Sequence, residues 1–195
     1  MQWRNTKESF GLVNIVLHWV VALAVFGLFG LGVWMVELGY YDPWYQRAPA
    51  LHLSIGLLLF ALLLLRVLWR LSGPMPRALD THSALERIAA LSVHLLLYLL
   101  LFAVVATGYL IASAGGEPIP VFDLFRVPAL PGLIDDQEDV AGYIHAWLAW
   151  GLVVLAALHA LASLKHHFID RDTSLVRMLG GARNLSDPST KERRA

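Results

Sequence analysis

Four long apolar blocks dominate this sequence of 195 residues and restrict the folds it can adopt. They cover about residues 12–36, 50–69, 88–112 and 143–164. A membrane-spanning helix needs about 20 mostly apolar residues, because lipid offers the backbone no hydrogen-bond partner. Only 15% of the residues are charged, and apart from Arg66 they fall outside the blocks. The sequence therefore predicts an all-α integral membrane protein, a four-helix bundle in a single domain over residues 1–183. The polar tail at 184–195 is predicted to be disordered.

Basic residues predict how this bundle is oriented. Of the 15 Lys and Arg residues, only Arg47 and Arg126 lie in the first and third connections. Because basic residues concentrate on the cytoplasmic side, both termini are expected in the cytoplasm of a bacterium, with the bundle in its inner membrane. The third connection, residues 113–142, would then face the periplasm. Its stretch 121–134 is apolar but broken by prolines, which predicts an irregular loop in the membrane interface.

The chain contains no cysteine. This excludes disulfides, iron–sulfur clusters held by thiolates, thioether-linked haem and thiol nucleophiles. Any bound metal must therefore be held by histidine or by oxygen ligands.

Histidines inside the apolar blocks are the strongest functional signal. Ionisable residues are rare at such positions and usually face the bundle interior. Five of the eight histidines lie there, namely His18, His52, His94, His145 and His159.

Their depths group four of them into two pairs. His18 and His159 lie near the cytoplasmic ends of the first and fourth blocks, whereas His52 and His145 open the second and fourth from the periplasm. The 14 residues between His145 and His159 span roughly 21 Å of helix and leave the two side chains on one face. Two stacked metal centres, each held by two histidines as in bis-histidine haems, are therefore expected. His94 has no partner left at its depth and is interpreted as a hydrogen-bonding or pocket-lining residue.

Small residues accompany these histidines. Glycines in membrane helices allow a flat cofactor or another helix to approach closely, so they are compatible with macrocycles and equally with ordinary helix packing. Those near the candidate ligands are Gly27, Gly30, Gly32, Gly56 and Gly151.

Four motifs resemble the bacterial cytochrome b561 family. They are Leu-His-Trp at 17–19, His-Leu-Ser-Ile-Gly at 52–56 with Leu-Leu-Arg at 64–66, Leu-His-Ala at 158–160, and Lys-His-His-Phe-Ile-Asp-Arg-Asp at 165–172. The resemblance runs from about Trp3 to Met178. It implies two b haems in a four-helix bundle of the inner membrane, exchanging electrons with the quinone pool. By motif, it implies that His18, His52, His145 and His159 are the haem ligands.

Three further side chains have candidate roles. Arg66 and Arg70 either neutralise haem propionates or reflect the excess of basic residues on the cytoplasmic side. His166, seven residues after His159, either binds and protonates a quinone such as ubiquinone or belongs to a basic cluster that anchors the end of the helix.

Several functions are compatible with this sequence. The leading hypothesis is a di-haem cytochrome that transfers electrons between a periplasmic donor and the quinone pool. A superoxide oxidase that reduces ubiquinone, and a haem-bearing anchor for a partner redox complex, are alternatives from the same family. A metal or proton transporter lined by histidines is an alternative of another class. The acidic run Asp135, Asp136, Glu138 and Asp139 disfavours an anionic donor such as superoxide and favours a basic protein.

Overall fold

Four long helices form the body of the protein. The computed structural model describes residues 2–77, 83–130 and 132–181. The elements are α1 (Leu12–Met35), α2 (Arg47–Leu71), α3 (Ala84–Ser113), a hairpin of β1 (Ile119–Val121) and β2 (Phe125–Val127), α4 (Gln137–Phe168) and α5 (Ser174–Met178). Each of the four long helices is long and apolar enough to cross a membrane, which confirms the four predicted spans. Residues 184–195, predicted as a tail, lie outside the described residues.

The helices pack unevenly around the bundle. Helix α3 packs along α4 and α1 along α2 over long stretches, whereas α1 and α4 meet over a much shorter one. A small buried cluster fills the middle of the bundle, formed by Val21, Val25, Leu59 and Leu152. Leu152 is seven residues from both His145 and His159, so the cluster lies between the two predicted histidine levels. Most large apolar side chains point outward instead, as lipid contact requires.

One end of the bundle brings the N-terminal segment and α5 together, and we call it the terminal end. The indole Nε1 of Trp19 donates to the Met178 carbonyl at 2.9 Å. The backbone N–H of Arg77 donates to the Lys7 carbonyl at 2.9 Å, and the Arg177 guanidinium donates to the Arg77 carbonyl at 3.1 Å. These bonds join the N-terminal segment, the α2–α3 connection and α5. That this end faces the cytoplasm stays a prediction from the basic residues.

The opposite end, which we call the hairpin end, is more regular than predicted. The stretch 121–134 does not form an entirely irregular loop, because β1 pairs antiparallel with β2, with Val121 opposite Phe125. Phe122 and Asp123 turn the chain with positive φ values of 47° and 57°. The hairpin is held to α2, since Val121 is fully buried and the Phe122 N–H donates to Ser54 Oγ at 3.1 Å. A turn of this kind depends on local backbone geometry that the proline pattern did not indicate.

The start of α4 is fastened to the end of α3. The amide of Gln137 donates to the Leu110 carbonyl at 2.9 Å, and its oxygen accepts from the Leu133 N–H at 2.7 Å. Gln137 is itself buried. These bonds set the position of α4 along α3, and with it the depth of the histidines on α4.

Candidate metal centres

The predicted pair at the hairpin end lies together in the structure. The imidazole centroids of His52 on α2 and His145 on α4 are 6.1 Å apart, with the ring planes at 73°. Two imidazoles that bind opposite sides of one metal through bonds of about 2 Å have centroids roughly 6 Å apart. The observed spacing therefore fits two ligands of a single metal ion.

Hydrogen bonds set the orientation of the His145 ring. Its Nδ1 lies 2.9 Å from the carbonyl oxygen of Val104 and 3.2 Å from Thr107 Oγ1. The Thr107 hydroxyl lies 2.8 Å from the Ala103 carbonyl and 2.9 Å from that of Val104, which can accept its hydrogen. A carbonyl can only accept, so Nδ1 carries the ring hydrogen and Nε2 keeps its lone pair. This is the tautomer in which a histidine binds a metal through Nε2.

Two glycines provide space for these rings. A Cβ added at Gly32 would lie 3.2 Å from Cε1 of His52, and one added at Gly108 would lie 3.1 Å from Cε1 of His145. Gly32 was expected from the sequence, whereas Gly108 was not. The available signal was the Thr107-Gly108 pair, a hydroxyl and a glycine inside an apolar part of α3. The other predicted glycines would meet nothing within 4 Å, namely Gly27, Gly30, Gly56 and Gly151.

The second ring of this pair meets the backbone of α1. His52 Nδ1 has no hydrogen bond of full geometry among the described residues, but the backbone of Leu28 lies close enough to interact with the ring. His52 and His145 therefore form a correctly spaced pair of partly buried imidazoles, which supports a site built to hold another group.

Three histidines gather at the terminal end, where the sequence predicted two ligands. The ring centroids of His94 on α3 and His159 on α4 are 5.1 Å apart. His18 on α1 lies within electrostatic range of both. His94 thus lies beside His159, the residue that the sequence pairs with His18, and its interpretation as a pocket-lining residue stays a prediction. Helix depth can be read from sequence, but the rotation that turns His94 toward His159 arises from packing of α3 against α4.

Arg66 reaches into this group of histidines from α2. Its NH2 lies 3.0 Å from Nδ1 of His18, and its Nε donates to the Tyr98 hydroxyl at 3.0 Å. Its NH1 is buried without a hydrogen-bond partner among the described residues. Since arginine can only donate, Nδ1 of His18 accepts here, which places the hydrogen of the neutral ring on Nε2. A ring in this tautomer cannot bind a metal through Nε2 unless Arg66 turns to another acceptor.

Arg70 shares one contact with Arg66, since both guanidinium carbons lie 5.9 Å from the centroid of the Tyr98 ring. It also lines a groove between α2 and α3 with Val67, Leu95, Phe102 and other apolar side chains. Of the two predicted propionate partners, Arg66 is the one that contacts a candidate ligand.

His166 lies beyond the core histidines, in the last turn of α4. Its Nδ1 is 2.7 Å from Asp170 Oδ2, and the same oxygen accepts from Lys165 Nζ at 2.7 Å. The hydrogen bond from Lys165, its charge and the nearby His166 together hold the pKa of Asp170 below its ordinary value. The two predictions for His166 are thus compatible with its surroundings, since it belongs to a charged cluster and has an oriented ring.

Comparison with known proteins bears on what these centres hold. The family model described as prokaryotic cytochrome b561 matches residues 9–181. The chain is 52% identical over 180 residues to cytochrome b561 homolog 2 of Escherichia coli strain K12, covering 92% of this chain and 96% of that protein. It is 29% identical over 178 residues to a Yersinia pestis protein named probable superoxide oxidase CybB, covering 88% and 96%.

The match extends over all four spans and every candidate histidine, and this confirms the family resemblance that the motifs indicated. Membership implies b-type haem, and the paired, oriented imidazoles are residues that fit such a group. The chain therefore belongs to the prokaryotic cytochrome b561 family and is a multi-pass b-type cytochrome of the bacterial inner membrane that works in electron transfer.

Proposed function

We propose that this protein holds two b haems and transfers electrons between a periplasmic donor and the quinone pool. His52 and His145 would bind one iron, and His18 and His159 the other. The observation that carries the proposal is the His52–His145 pair, with ring centroids 6.1 Å apart and Nδ1 of His145 bonded to a backbone carbonyl. The test is the haem content of the purified protein, where two non-covalent b haems per chain are expected.

The choice of His18 over His94 as the partner of His159 rests on helix packing. A macrocycle needs space between the helices that carry its two ligands. Helices α3 and α4 pack along each other, whereas α1 and α4 meet over a short stretch. The 5.1 Å between the His94 and His159 rings is also shorter than the roughly 6 Å expected for two imidazoles on one metal. His94 would then line the site beside its ligands.

Arg66 would provide the positive charge for a haem propionate. Its buried NH1 has no acceptor among the described residues, and its NH2 lies on the nitrogen of His18. A carboxylate is the acceptor that a guanidinium prefers. With a propionate as acceptor, Arg66 would leave His18 Nδ1, and His18 could adopt the tautomer that His145 already has.

The buried side chains between the two histidine pairs would exclude water from the path of the electron. When bound, each haem supplies a one-electron carrier. Val21, Val25, Leu59 and Leu152 are buried between the two pairs. Helix α4 carries a ligand of each pair, roughly 21 Å apart along its axis. One rigid helix would thus hold both sites at a constant separation.

His166 would bind the quinone and hold one of the two protons that reduction of a quinone to a quinol consumes. Its ring lies in the last turn of α4, just past the terminal-end histidines, and Asp170 orients it through Nδ1. A carboxylate on one ring nitrogen leaves the other directed elsewhere, where it can donate to a quinone oxygen. On the predicted orientation, the proton would come from the cytoplasm.

A superoxide oxidase is the second candidate, because one relative carries that name. The hairpin end of this chain has carboxylates at the start of α4, with Asp136 as N-cap and Glu138 and Asp139 in the first turn. Carboxylates repel an anion and attract a basic protein surface. We therefore favour a basic periplasmic redox protein as the donor. The rates of haem reduction by superoxide at two salt concentrations distinguish this function from superoxide oxidation. A role as a haem-bearing anchor for a partner redox complex would share these haem sites.

A further inference from the structure

A second group of potential metal ligands lies at the terminal end, apart from the core histidines. Glu86 in the first turn of α3, His166 in the last turn of α4 and Asp170 in the turn after α4 each offer one ligand atom, and these atoms lie within 4.8 Å of one another. We propose that these three side chains bind a divalent transition-metal cation of the zinc type, and that the bound cation takes the place of the proton that His166 would give to the quinone. The second half of this proposal rests on the proposed function.

Local structure holds each of the three ligands in place. Glu86 forms a capping box at the start of α3, where its Oε2 accepts from the Ser83 N–H at 2.8 Å and from Ser83 Oγ at 2.9 Å. A carboxylate has about four lone-pair positions, so it can keep these bonds and still bind a cation. The His166 and Asp170 side chains are already within 2.7 Å of each other. The start of α3 and the end of α4 therefore converge without any rearrangement of the backbone.

The ligand set suits zinc or a similar ion. One imidazole nitrogen and two carboxylate oxygens resemble the three protein ligands of open zinc sites, where water takes the fourth position. Ligands of a tetrahedral ion with bonds of about 2 Å are roughly 3.3 Å apart. Closing the distances from 4.8 Å or less requires only side-chain movement, and the three residues are partly or fully exposed. Asp172, with Oδ2 at 3.8 Å from Nδ1 of His166, adds a further negative charge.

Lys165 is the cation that now occupies part of this site. Its Nζ is 2.7 Å from the same Asp170 oxygen that contacts His166, and its side chain is 49% exposed. An exposed ion pair contributes little to stability, so Lys165 can move into water when a divalent cation binds. The alternative is that the three residues only anchor the end of α4 through Lys165. A direct binding measurement distinguishes these two interpretations.

The binding test is isothermal titration of Zn²⁺ into the haem-loaded protein, in which the core histidines are occupied. One ion per chain is expected. Glu86→Gln, His166→Ala and Asp170→Asn should each weaken binding about tenfold or more. Gln at position 86 can keep the capping box, so loss of helix structure is avoided. His167→Ala, the adjacent histidine outside the group, should leave the affinity unchanged. Wild-type affinity in His166→Ala, or loss of affinity in His167→Ala, would overturn the site.

The functional test measures how fast chemically reduced haem is reoxidised by a ubiquinone analogue, with and without Zn²⁺. Zinc should slow the wild-type protein, a chelator should restore it, and Glu86→Gln should resist the inhibition. Equal inhibition of the wild type and Glu86→Gln would overturn the link between the cation and His166. If instead His166→Ala reoxidises at the wild-type rate without zinc, the quinone role of His166 fails, while the titration still decides the cation site.

Discussion

The Nδ1 nitrogen of His145 lies 2.9 Å from the carbonyl oxygen of Val104, three residues before Thr107 on the neighbouring helix. This bond leaves Nε2 of His145 with its lone pair, and the centroid of the His52 ring lies 6.1 Å from that of His145. The His145 ring of the hairpin-end pair is thus oriented by a backbone group, which no side-chain substitution removes. His18 at the terminal end depends instead on Arg66, a side chain that can move.

Replacing single histidines should remove single haems. His52→Ala or His145→Ala should leave one b haem per chain, and so should His18→Ala or His159→Ala, because each iron needs both of its imidazoles. Pyridine haemochrome analysis of the purified variants gives the count. The matched control is His94→Ala, a histidine inside the same bundle, which should keep both haems. Loss of a haem in His94→Ala would show that His94, not His18, is the partner of His159.

Substitution of Gly108 should disturb the hairpin-end centre alone. A Cβ at this position would lie 3.1 Å from Cε1 of His145, so the ring would have to shift by a few tenths of an ångström. Gly108→Ala should shift the spectrum of one haem, and the larger Gly108→Val should lower the haem content toward one per chain. Gly151→Ala on α4 is the control, since a Cβ there would meet nothing within 4 Å. Equal effects of Gly108→Val and Gly151→Ala would contradict this account.

Loss of the Arg66 charge should lower the midpoint potential of the terminal-end haem. A nearby positive charge stabilises the reduced, less positive iron centre, so Arg66→Gln should favour the oxidised form. Redox titration followed in the haem absorption band measures both potentials. Arg70→Gln should have a smaller effect, because Arg66 lies 3.0 Å from Nδ1 of His18, whereas Arg70 acts on His94 through its charge. A larger shift with Arg70→Gln would mean that Arg70, not Arg66, is the arginine that pairs with the haem propionate.

His166→Ala should slow quinone reduction without changing the haems. Loss of a positioned proton donor is expected to reduce the rate of haem reoxidation by a ubiquinone analogue by about a hundredfold or more. Stopped-flow mixing of the chemically reduced protein with the analogue measures this rate, and the absorption spectrum serves as the check on haem binding. His167→Ala is the matched control and should behave as the wild type. An unchanged rate in His166→Ala would place the quinone elsewhere.

Superoxide should reduce the haems slowly, and more slowly at low salt than at high salt. The carboxylates of Asp136, Glu138 and Asp139 at the start of α4 repel an anion, and salt screens this repulsion. Stopped-flow mixing with superoxide at two ionic strengths tests the sign of the salt effect. Fast reduction that does not depend on salt would make superoxide oxidation the better function for this chain.

The sequence by itself determined the number of spans, the levels of the histidines and the family. Hydropathy depends only on the order of residues, and the fixed rise of a helix converts that order into depth. Residue spacing alone therefore assigns His145 and His159 to one face and two levels of α4. The motifs around His18, His52 and His159 indicated the family to which the chain belongs.

Only the tertiary structure decided which groups meet at each level. The contact of His94 with His159, the bond from His145 to Val104 and the close approach of Gly108 all depend on how α3 is rotated against α4. Hydropathy carries little information about that rotation, because lipid-facing and core-facing positions in these spans are almost equally apolar. The meeting of Glu86 with His166 and Asp170 likewise depends on where α3 begins and α4 ends relative to each other. Packing between helices fixes these contacts, because they join residues of α3 to residues of α4 that are far apart in the chain.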